Sequence, residues 1–259
     1  MRIVLLVMTV LLFSSAQAQR YRVGQDKKKK KEYVYPSNVI KLNLSSAVFK
    51  TLGVQYERKL ASRFSFALGG IYRPSSSLFL FKLASDNAGN SGISPETAAM
   101  YESARFSRLS ITPELRYYFK KKAPKGLYLA PFFRYNRDQT RFDFKYSENN
   151  STVRKTGQAR LTENMYGGGI LFGLQILSKK KLAVDFWFLG PWLGFNQATL
   201  KSGLNVGNIN EFEKAVLASN IEPLIQDEAL KWDNSGINTT ISRTGLGVRL
   251  LGINIGYNF

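Results

Sequence analysis

The side chains that most often carry out enzyme chemistry are missing from this chain. It contains no His and no Cys, which removes the usual general base, the thiolate nucleophile and zinc sites built from Cys and His. Serine–lysine or carboxylate catalysis remains open, but no local motif indicates either one. The acidic pairs Asp227–Glu228 and Glu211/Glu213 lack the alternating ligand spacing of a calcium loop. We therefore expect neither an enzyme nor a bound cofactor or metal.

The remaining candidates are charged residues inside alternating apolar segments. Lys59 and Arg73 are two of them, and six more form a predicted interior charge network: Lys41, Glu57, Glu114, Arg116, Arg134 and Asp185. Isolated buried charge is costly, so opposite charges enclosed by a narrow barrel must pair or contact water. The interior of an eight-stranded barrel is just wide enough for side chains to fill. The sequence favours a filled interior, and a narrow pore is the alternative.

Alternating apolar and polar residues predict the strands that would position these charges. Successive side chains of a strand point to opposite faces, so each segment has one apolar and one polar face. In the segment 127–146 the apolar phase changes between Tyr135 and Phe142, which indicates a β-bulge or a rise out of the membrane. The predicted strands are 38–47, 53–60, 64–73, 108–119, 127–146, one around 166–176, one around 182–188, and about 241–259.

The last segment carries the clearest membrane signal. Its apolar residues alternate with glycine and asparagine, so one face is apolar and the other is small and polar. In an outer-membrane barrel the apolar face meets lipid. A chain that ends on Phe after such alternation resembles the recognition signal of bacterial outer-membrane barrels, which implies insertion by the barrel-assembly machinery. The predicted insertion signal is Leu251, Ile253, Ile255, Tyr257 and Phe259.

Three regions are predicted along the chain. Residues 1–18 have the charged start, the short apolar run and the A-x-A end of a secretory signal peptide. Residues 19–37 form a basic periplasmic tail, and residues 38–259 form the barrel. No later segment is apolar enough for a membrane helix, and only helices and closed barrels satisfy their backbone in lipid. The sequence thus predicts an all-β, eight-stranded antiparallel transmembrane barrel in the outer membrane of a Gram-negative bacterium, after cleavage of the signal peptide.

The connections differ in length on the two sides of the predicted barrel. Long connections at 74–107, 147–158 and 198–240 fall outside, with short helices expected at 95–105 and at 209–232, the second broken at Pro223. Short turns fall on the side of the termini, which is the usual asymmetry of outer-membrane barrels. These turns and the tail form a predicted basic periplasmic rim: Lys27, Lys28, Lys29, Lys30, Lys31, Lys120, Lys121, Lys122, Lys179, Lys180 and Lys181.

The formal net charge of +19 raises the question of an anionic partner. Nucleic acid is the usual partner of such a basic chain, but a secretory signal places the protein in another compartment. Anionic lipid head groups or an acidic envelope polymer fit better. The basic rim would then face phospholipid or a protein partner, and ordinary solvation is the alternative.

Several segments resemble a family of small outer-membrane barrels typical of Bacteroidota, which is catalogued as being of unknown function. The similarity lies in 38–44, 54–60, 111–118 and 126–131, and in Gly167-Gly168-Gly169 leading to Gly173. It covers the strands, about half of the chain, and not the long loops. The resemblance implies an eight-stranded barrel, like those of the OmpA, OmpX and OmpW type, and it implies no reaction.

Two binding roles remain for a non-enzymatic barrel. In the first, the protein is a structural or accessory subunit that docks on a larger envelope complex. In the second, it is a narrow, porin-like pore or it binds or transports a small amphiphile, with Trp187, Trp192, Phe195 and Phe132 lining an upper pocket. The sequence favours an interfacial aromatic girdle for these four residues over a pocket. Outer-membrane lipid is an expected partner in both cases, and nucleic acid is not.

Overall fold

The computed structural model describes residues 35–47, 49–77, 86, 94–148, 151–204, 206–225, 229–234 and 236–259. Within these residues the strands form one antiparallel sheet, in which eight long strands follow one another and the first pairs with the last. The strands are β1 (Asn38–Asn43), β2 (Leu52–Lys59), β3 (Phe64–Ser76), β4 (Arg105–Tyr118), β5 (Gly126–Ser147), β6 (Arg154–Leu177), β7 (Leu182–Gly203), β8 (Trp232–Asp233) and β9 (Gly236–Asn258).

The seam between β1 and β9 closes the ring. Their register runs from Val39 opposite Asn258 to Asn43 opposite Asn254. Phe259 extends the seam by exchanging both backbone hydrogen bonds with Asn38, at 3.1 and 2.9 Å. The predicted all-β, eight-stranded antiparallel barrel is thereby confirmed. The ninth strand, β8, has two residues and pairs only with the beginning of β9.

The two ends of the barrel differ as the connection lengths predict. The lower end holds the short turns 60–63, 119–125 and 178–181, together with residues Tyr35 and Phe259. The strand ends that the long connections join lie at the upper end. Lys120 to Lys122 and Lys179 to Lys181 lie exposed in the lower turns, so this part of the predicted rim is at one end. The predicted signal peptide and Lys27 to Lys31 lie outside the described residues.

The outer face of the lower barrel is apolar. Side chains alternate between interior and exterior along each strand, so the apolar set of every strand points outward. All five residues of the predicted insertion signal lie on this outer face, from Ile255 at 36 % exposed to Leu251 at 73 %. A water-soluble fold would bury such residues, so the face requires an apolar surrounding.

The wall is much taller on one side than on the other. β1 and β2 have 6 and 8 residues, whereas β5, β6, β7 and β9 have 22 to 24. β5 keeps one uninterrupted register with β6, so the strand contains no bulge. The phase of the apolar residues changes after Tyr135 because the strand continues above the apolar part of the outer face. Below this point outward residues are apolar. Above it Phe142, Phe144 and Tyr146 point inward, while Arg137 and Arg141 point outward.

The described helices lie in the connections between strands. They are α1 (Leu44–Ala47), α2 (Pro95–Ser103) and α3 (Glu211–Ile221), with 3-10 turns at Val206–Asn208 and Glu222–Ile225. α1 has no buried residue, whereas α2 and α3 cover the inner side of the tall wall. None of the helices in the described ranges is long and apolar enough to cross a membrane. Met100 of α2 and Leu217 and Ile221 of α3 pack with inward residues of β5, β7 and β9 in one hydrophobic cluster. We call α2, α3 and this cluster the cap.

Capping residues define where the two cap helices begin. Ser94 Oγ accepts from Thr97 N at 3.1 Å, and Pro95 occupies the first turn of α2. Asn210 Oδ1 accepts from Glu213 N at 2.7 Å at the start of α3. The helices are joined by a hydrogen bond from Ser94 Oγ to Asn220 Oδ1 at 2.9 Å, so the cap is one connected unit.

Two sequence-based boundaries are wrong. The first strand ends at Asn43 and not at residue 47, because Ser46 N donates to Asn43 Oδ1 and turns 44–47 into a helix. The predicted helix 209–232 ends at Ile221, followed by a 3-10 turn that contains Pro223. Trp232 lies in β8 opposite Ile237. Strands β2 and β5 match their predicted ranges to within one residue at each end, whereas β6 begins twelve residues before, and β7 ends fifteen residues after, the segments predicted for them.

Candidate functional site

A buried polar network crosses the interior of the lower barrel. Each of the eight strands that form the ring, β1 to β7 and β9, contributes at least one side chain to it. The inward side chains of neighbouring strands lie at the same level of the barrel and therefore contact one another. The strands place Lys41, Gln55, Glu57, Ser65, Glu114, Arg116, Tyr118, Tyr128, Gln175, Asp185, Arg249 and Asn254 in this network. The side chains of Lys41, Glu57, Glu114, Arg116 and Asp185 are 0 % exposed.

Lys41 connects β1 with three other strands. Its Nζ donates to Glu57 Oε2 at 2.6 Å, to Gln175 Oε1 at 2.7 Å and to Asp185 Oδ2 at 2.9 Å. An ammonium group has three hydrogens, so its donors are used completely by protein groups.

Arg116 is the centre of the network. Its Nη1 donates to Glu57 at 3.1 Å and to Asp185 at 2.9 Å, and its Nη2 donates to Glu114 at 2.7 Å. The guanidinium carbon also lies 4.4 Å from the centre of the Tyr128 ring, within cation–π range. One side chain therefore contacts residues of four other strands besides its own, because Gln55 and Gln175 also accept from it.

The carboxylates are satisfied on both oxygens. Tyr118 and Ser65 donate to Glu57 Oε1, at 2.6 and 2.5 Å. Tyr128 donates to Asp185 Oδ1 at 2.8 Å. Arg249 donates to Glu114 Oε1 at 3.1 Å. Three cations thus face three carboxylates, and the network carries no net formal charge.

Five of the six predicted network residues meet here, and the sixth does not. Arg134 lies higher in the interior and donates to Thr112 Oγ1 at 3.1 Å. It forms no salt bridge with a described carboxylate. The place predicted for it is taken by Arg249, which lies between the rings of Phe132 and Trp187 at 5.0 and 4.9 Å.

The sequence could not indicate Arg249 from alternation alone. Arg249 has the same parity as the outward residues Leu251 and Ile253, so strict alternation places it outside. Leu250 and Leu251 are both exposed, at 68 % and 73 %, which shifts the phase of β9 and turns Arg249 inward. Leu189 and Phe188 of β7 show the same local break in alternation. Gln55 and Gln175 stand at alternate positions that also face the interior, but their side chains carry no charge, so nothing in the sequence distinguishes them from other polar residues.

A second polar site lies higher, between the network and the cap. It is a cavity of about 280 Å³. Asn196 Nδ2 donates to Glu163 Oε1 at 3.1 Å, while the buried Asn196 Oδ1 has no hydrogen-bond partner among the described residues. The lining includes Leu161, Glu163, Met165, Trp192, Asn196, Ile225, Ile241 and Arg243.

Trp192 forms one wall of this cavity because glycines leave room for its ring. A Cβ atom added to Gly247 of β9 or Gly194 of β7 would collide with the indole ring. The ring therefore lies across the backbone of neighbouring strands. Of the other predicted pocket aromatics, Phe132 and Trp187 lie lower beside Arg249. Phe195 is 42 % exposed on the outer face, so it does not line this cavity.

The tip of the tall wall carries one perturbed carboxyl group. Lys155 Nζ donates to Glu148 Oε2 at 2.7 Å, and this hydrogen bond lowers the pKa of Glu148 below its ordinary value. Among the described residues, no group of three or more Asp and Glu could hold a metal ion.

Comparisons with solved structures give weak likenesses. CarO of Acinetobacter baumannii has a TM-score of 0.35 at 10% identity, over 89% of this chain and 100% of that chain. CarO2 of the same organism has a TM-score of 0.37 at 10% identity, over 88% and 100%. A major outer membrane protein of Thermus thermophilus has a TM-score of 0.33 at 12% identity, over 88% and 100%. The barrel assignment rests on the strand pairings of this chain.

The curated proteins contain no match to this sequence. A family model described as "Protein of unknown function (DUF3575)" matches residues 3–202. This match includes β1 to β6 and nearly all of β7. The chain therefore belongs to the DUF3575 family of proteins of unknown function.

Proposed function

We propose that this protein is a non-enzymatic outer-membrane β-barrel with a sealed interior, which holds the cap outside the membrane as a structural or interaction subunit of the cell envelope. The apolar outer face of the lower barrel supports the location, because every strand presents its apolar set outward. The predicted signal peptide and insertion signal add to it, and imply the barrel-assembly machinery as a transient partner. The predicted origin in Bacteroidota remains part of this proposal.

The observation that carries the proposal is the closed network at the centre of the barrel. Five of its six charged side chains are 0 % exposed, and the sixth, Arg249, is 9 % exposed. They bond across the interior from β1 to β7 and from β4 to β9. An ion would have to break these contacts to pass. No described atom of Lys41, Glu57, Glu114, Arg116 or Asp185 is buried without a partner.

Planar-bilayer recordings of the full mature protein test the sealed interior. We expect no stable conductance steps from the wild-type protein. The double variant Arg116→Ala/Tyr128→Ala removes two of the three largest buried side chains at the centre, and we expect it to conduct if it folds with a wild-type circular dichroism spectrum. Porin-like steps from the wild-type protein would overturn the proposal.

The role as a subunit makes a separate prediction about partners. The protein is tagged at the mature N-terminus and purified from native outer membranes in mild detergent. A stoichiometric larger membrane protein in the sample would support an accessory role on an envelope complex. A lone chain would contradict docking and leave the sealed barrel with its cap as a structural element.

The upper cavity supports a second candidate function, the binding of a small amphiphile with an amine head group. Glu163 accepts a hydrogen bond from Asn196 Nδ2, and Asn196 Oδ1, which has no partner among the described residues, can accept a further one. A carboxylate can only accept, so Nδ2 and not Oδ1 of Asn196 faces Glu163. The Trp192 ring and apolar side chains line the cavity together with one cation, Arg243. An amine head group would therefore lie on the Glu163 side of the cavity, away from Arg243, with a short tail along the apolar lining.

Isothermal titration of the protein in nanodiscs with hexylamine and with hexanoate tests this candidate. We expect hexylamine alone to bind saturably, and Glu163→Gln to weaken this binding about tenfold or more, since a charge-assisted contact is lost. Glu211→Gln, at an exposed position on α3, is the matched control. Equal binding of both probes, or no effect of Glu163→Gln, would exclude the amine site.

A further inference from the structure

A row of four cations crosses the outer face of the tall wall. Arg105 of β4 pairs with Arg141 of β5, Arg141 with Arg160 of β6, and Arg160 with Lys201 of β7. We call these four residues the basic row. All four are exposed. Direct cross-strand neighbours of like charge destabilise a sheet, so the arrangement requires an explanation other than stability.

No described carboxylate neutralises the basic row. Arg141, Arg160 and Lys201 form no salt bridge or side-chain hydrogen bond within the described ranges, and Arg105 donates to the backbone carbonyls of residues 102, 103 and 104. The nearest outward acid on these strands is Asp143, one outward position above Arg141, which accepts from Gln158. The positive charge of the row is therefore available to an external anion.

Hydrogen-bonding side chains lie directly below the row. Together with Arg137, Arg160 and Lys201 they line a shallow depression of about 280 Å³ that contains no acidic residue. The uncharged members are Gln139, Thr162 and Thr199. Cations beside hydroxyl and amide groups suit a ligand that carries both phosphate and sugar hydroxyl groups.

A row of outward aromatic rings lies below this surface and marks the level from which its height above the membrane is measured. The rings of Tyr135, Tyr166 and Phe195 stack across β5, β6 and β7, with centroids 6.1 and 6.2 Å apart. Outward aromatic residues of this kind mark the membrane interface. Arg141 lies six residues beyond Tyr135 on β5, which is ~20 Å along the strand and ~15 Å above the interface at a tilt of about 40°.

This height distinguishes between classes of lipid. A phospholipid head-group layer is only about 5–8 Å thick on each side of the hydrocarbon core, so it reaches Arg137 but not the basic row. We propose that the outer face formed by the basic row and the depression below it binds the phosphorylated saccharide head group of a glycolipid in the outer leaflet. This inference rests on the proposed outer-membrane location.

Binding of purified bacterial lipopolysaccharide to the full mature protein in zwitterionic nanodiscs tests the inference. The same glycolipid after enzymatic dephosphorylation and phosphatidylglycerol serve as comparison ligands. The variant Arg141→Gln/Arg160→Gln/Lys201→Gln is compared with Lys120→Gln/Lys121→Gln/Lys180→Gln, which removes the same charge from exposed lower-end positions. Both are checked for wild-type circular dichroism before use.

We expect the upper triple variant to bind lipopolysaccharide about tenfold more weakly or worse, since each cation near an anionic surface contributes to attachment. The lower-end variant should bind like wild type, and added salt should weaken wild-type binding. Equal binding by both variants would overturn the inference, as would binding of the dephosphorylated glycolipid or of phosphatidylglycerol with the same affinity.

Membrane fractionation of the wild-type protein separates the two proposals. Recovery outside the outer membrane would overturn the proposed location, whatever the nanodisc result. Recovery in the outer membrane together with unchanged binding by the upper triple variant would overturn the glycolipid site alone.

Discussion

At the scale of single residues, the interior depends on complete pairing more than on attraction. Removing two charges from water costs several kcal/mol for each ion, and their mutual attraction roughly compensates. A buried ion pair is therefore weak evidence for stability. What holds the side chains of Lys41 and Asp185 in place is the number of their hydrogen bonds. Lys41 donates to three acceptors, and Asp185 accepts from groups on four strands.

Asp185→Asn should be strongly destabilising although it changes the shape of the side chain little. It leaves Lys41 and Arg116 with fewer anions to neutralise them, and breaking a buried pair costs about 3–5 kcal/mol in the free energy of unfolding. Urea unfolding in lipid vesicles measures this loss. Glu211→Gln, whose side chain is 89% exposed, should change the value by less than about 0.5 kcal/mol. Equal losses in the two variants would contradict the network.

At the scale of elements, the tall strands have different surroundings along their length. The lower half of β5 presents Leu129 and Phe133 outward, and its upper half presents Phe142 and Phe144 inward. The strand itself does not change, because its register with β6 is continuous. What changes is the surrounding: in the proposed location lipid covers the outer face below, whereas α2 and α3 cover the inner face above. The cap therefore belongs to the wall and is not a loose loop.

Leu217→Ala should loosen the cap and leave the lower barrel intact. Leu217 is 1 % exposed inside the cap cluster, and a leucine-to-alanine change in a core costs about 2–5 kcal/mol. Hydrogen exchange should show faster exchange in α3 and unchanged protection in β1 to β4. Phe212→Ala on the same helix is the control, since Phe212 is 76 % exposed. Equal acceleration in both variants would contradict the packing of α3.

At the scale of the whole molecule, the two ends carry different chemistry. The lower end has short turns with exposed lysines. The upper end has the cap, with the basic row on the outer face of the wall beside it. In the proposed location this asymmetry requires a single orientation, because short turns face the periplasm in outer-membrane barrels.

Single cysteines test this orientation directly, since the chain has no Cys. A membrane-impermeant maleimide added to whole cells should label Phe212→Cys on α3 and should not label Lys121→Cys in a lower turn. Both variants should react fully after the cells are lysed, which controls for a buried thiol. Labelling of Lys121→Cys alone on whole cells would reverse the orientation.

The sequence by itself determined the barrel and most of its interior. Alternation assigned a face to Lys41, Glu57, Glu114, Arg116 and Asp185, because side-chain direction in a strand has a period of two and needs no knowledge of the partner strands. Connection lengths alone separated the lower from the upper end. The start of α2 could also be predicted, since Ser94 and Pro95 form a local N-terminal signal.

Only the tertiary structure decided which charged residues lie side by side on the inner and outer faces of the strands. The local break in alternation at Leu250 and Leu251 turns Arg249 inward, and the different height of Arg134 removes it from the network. The basic row exists because the registers of β4 to β7 align four cations that are far apart in the sequence. Period-two alternation is a local property, whereas height and register depend on strands that are distant along the chain.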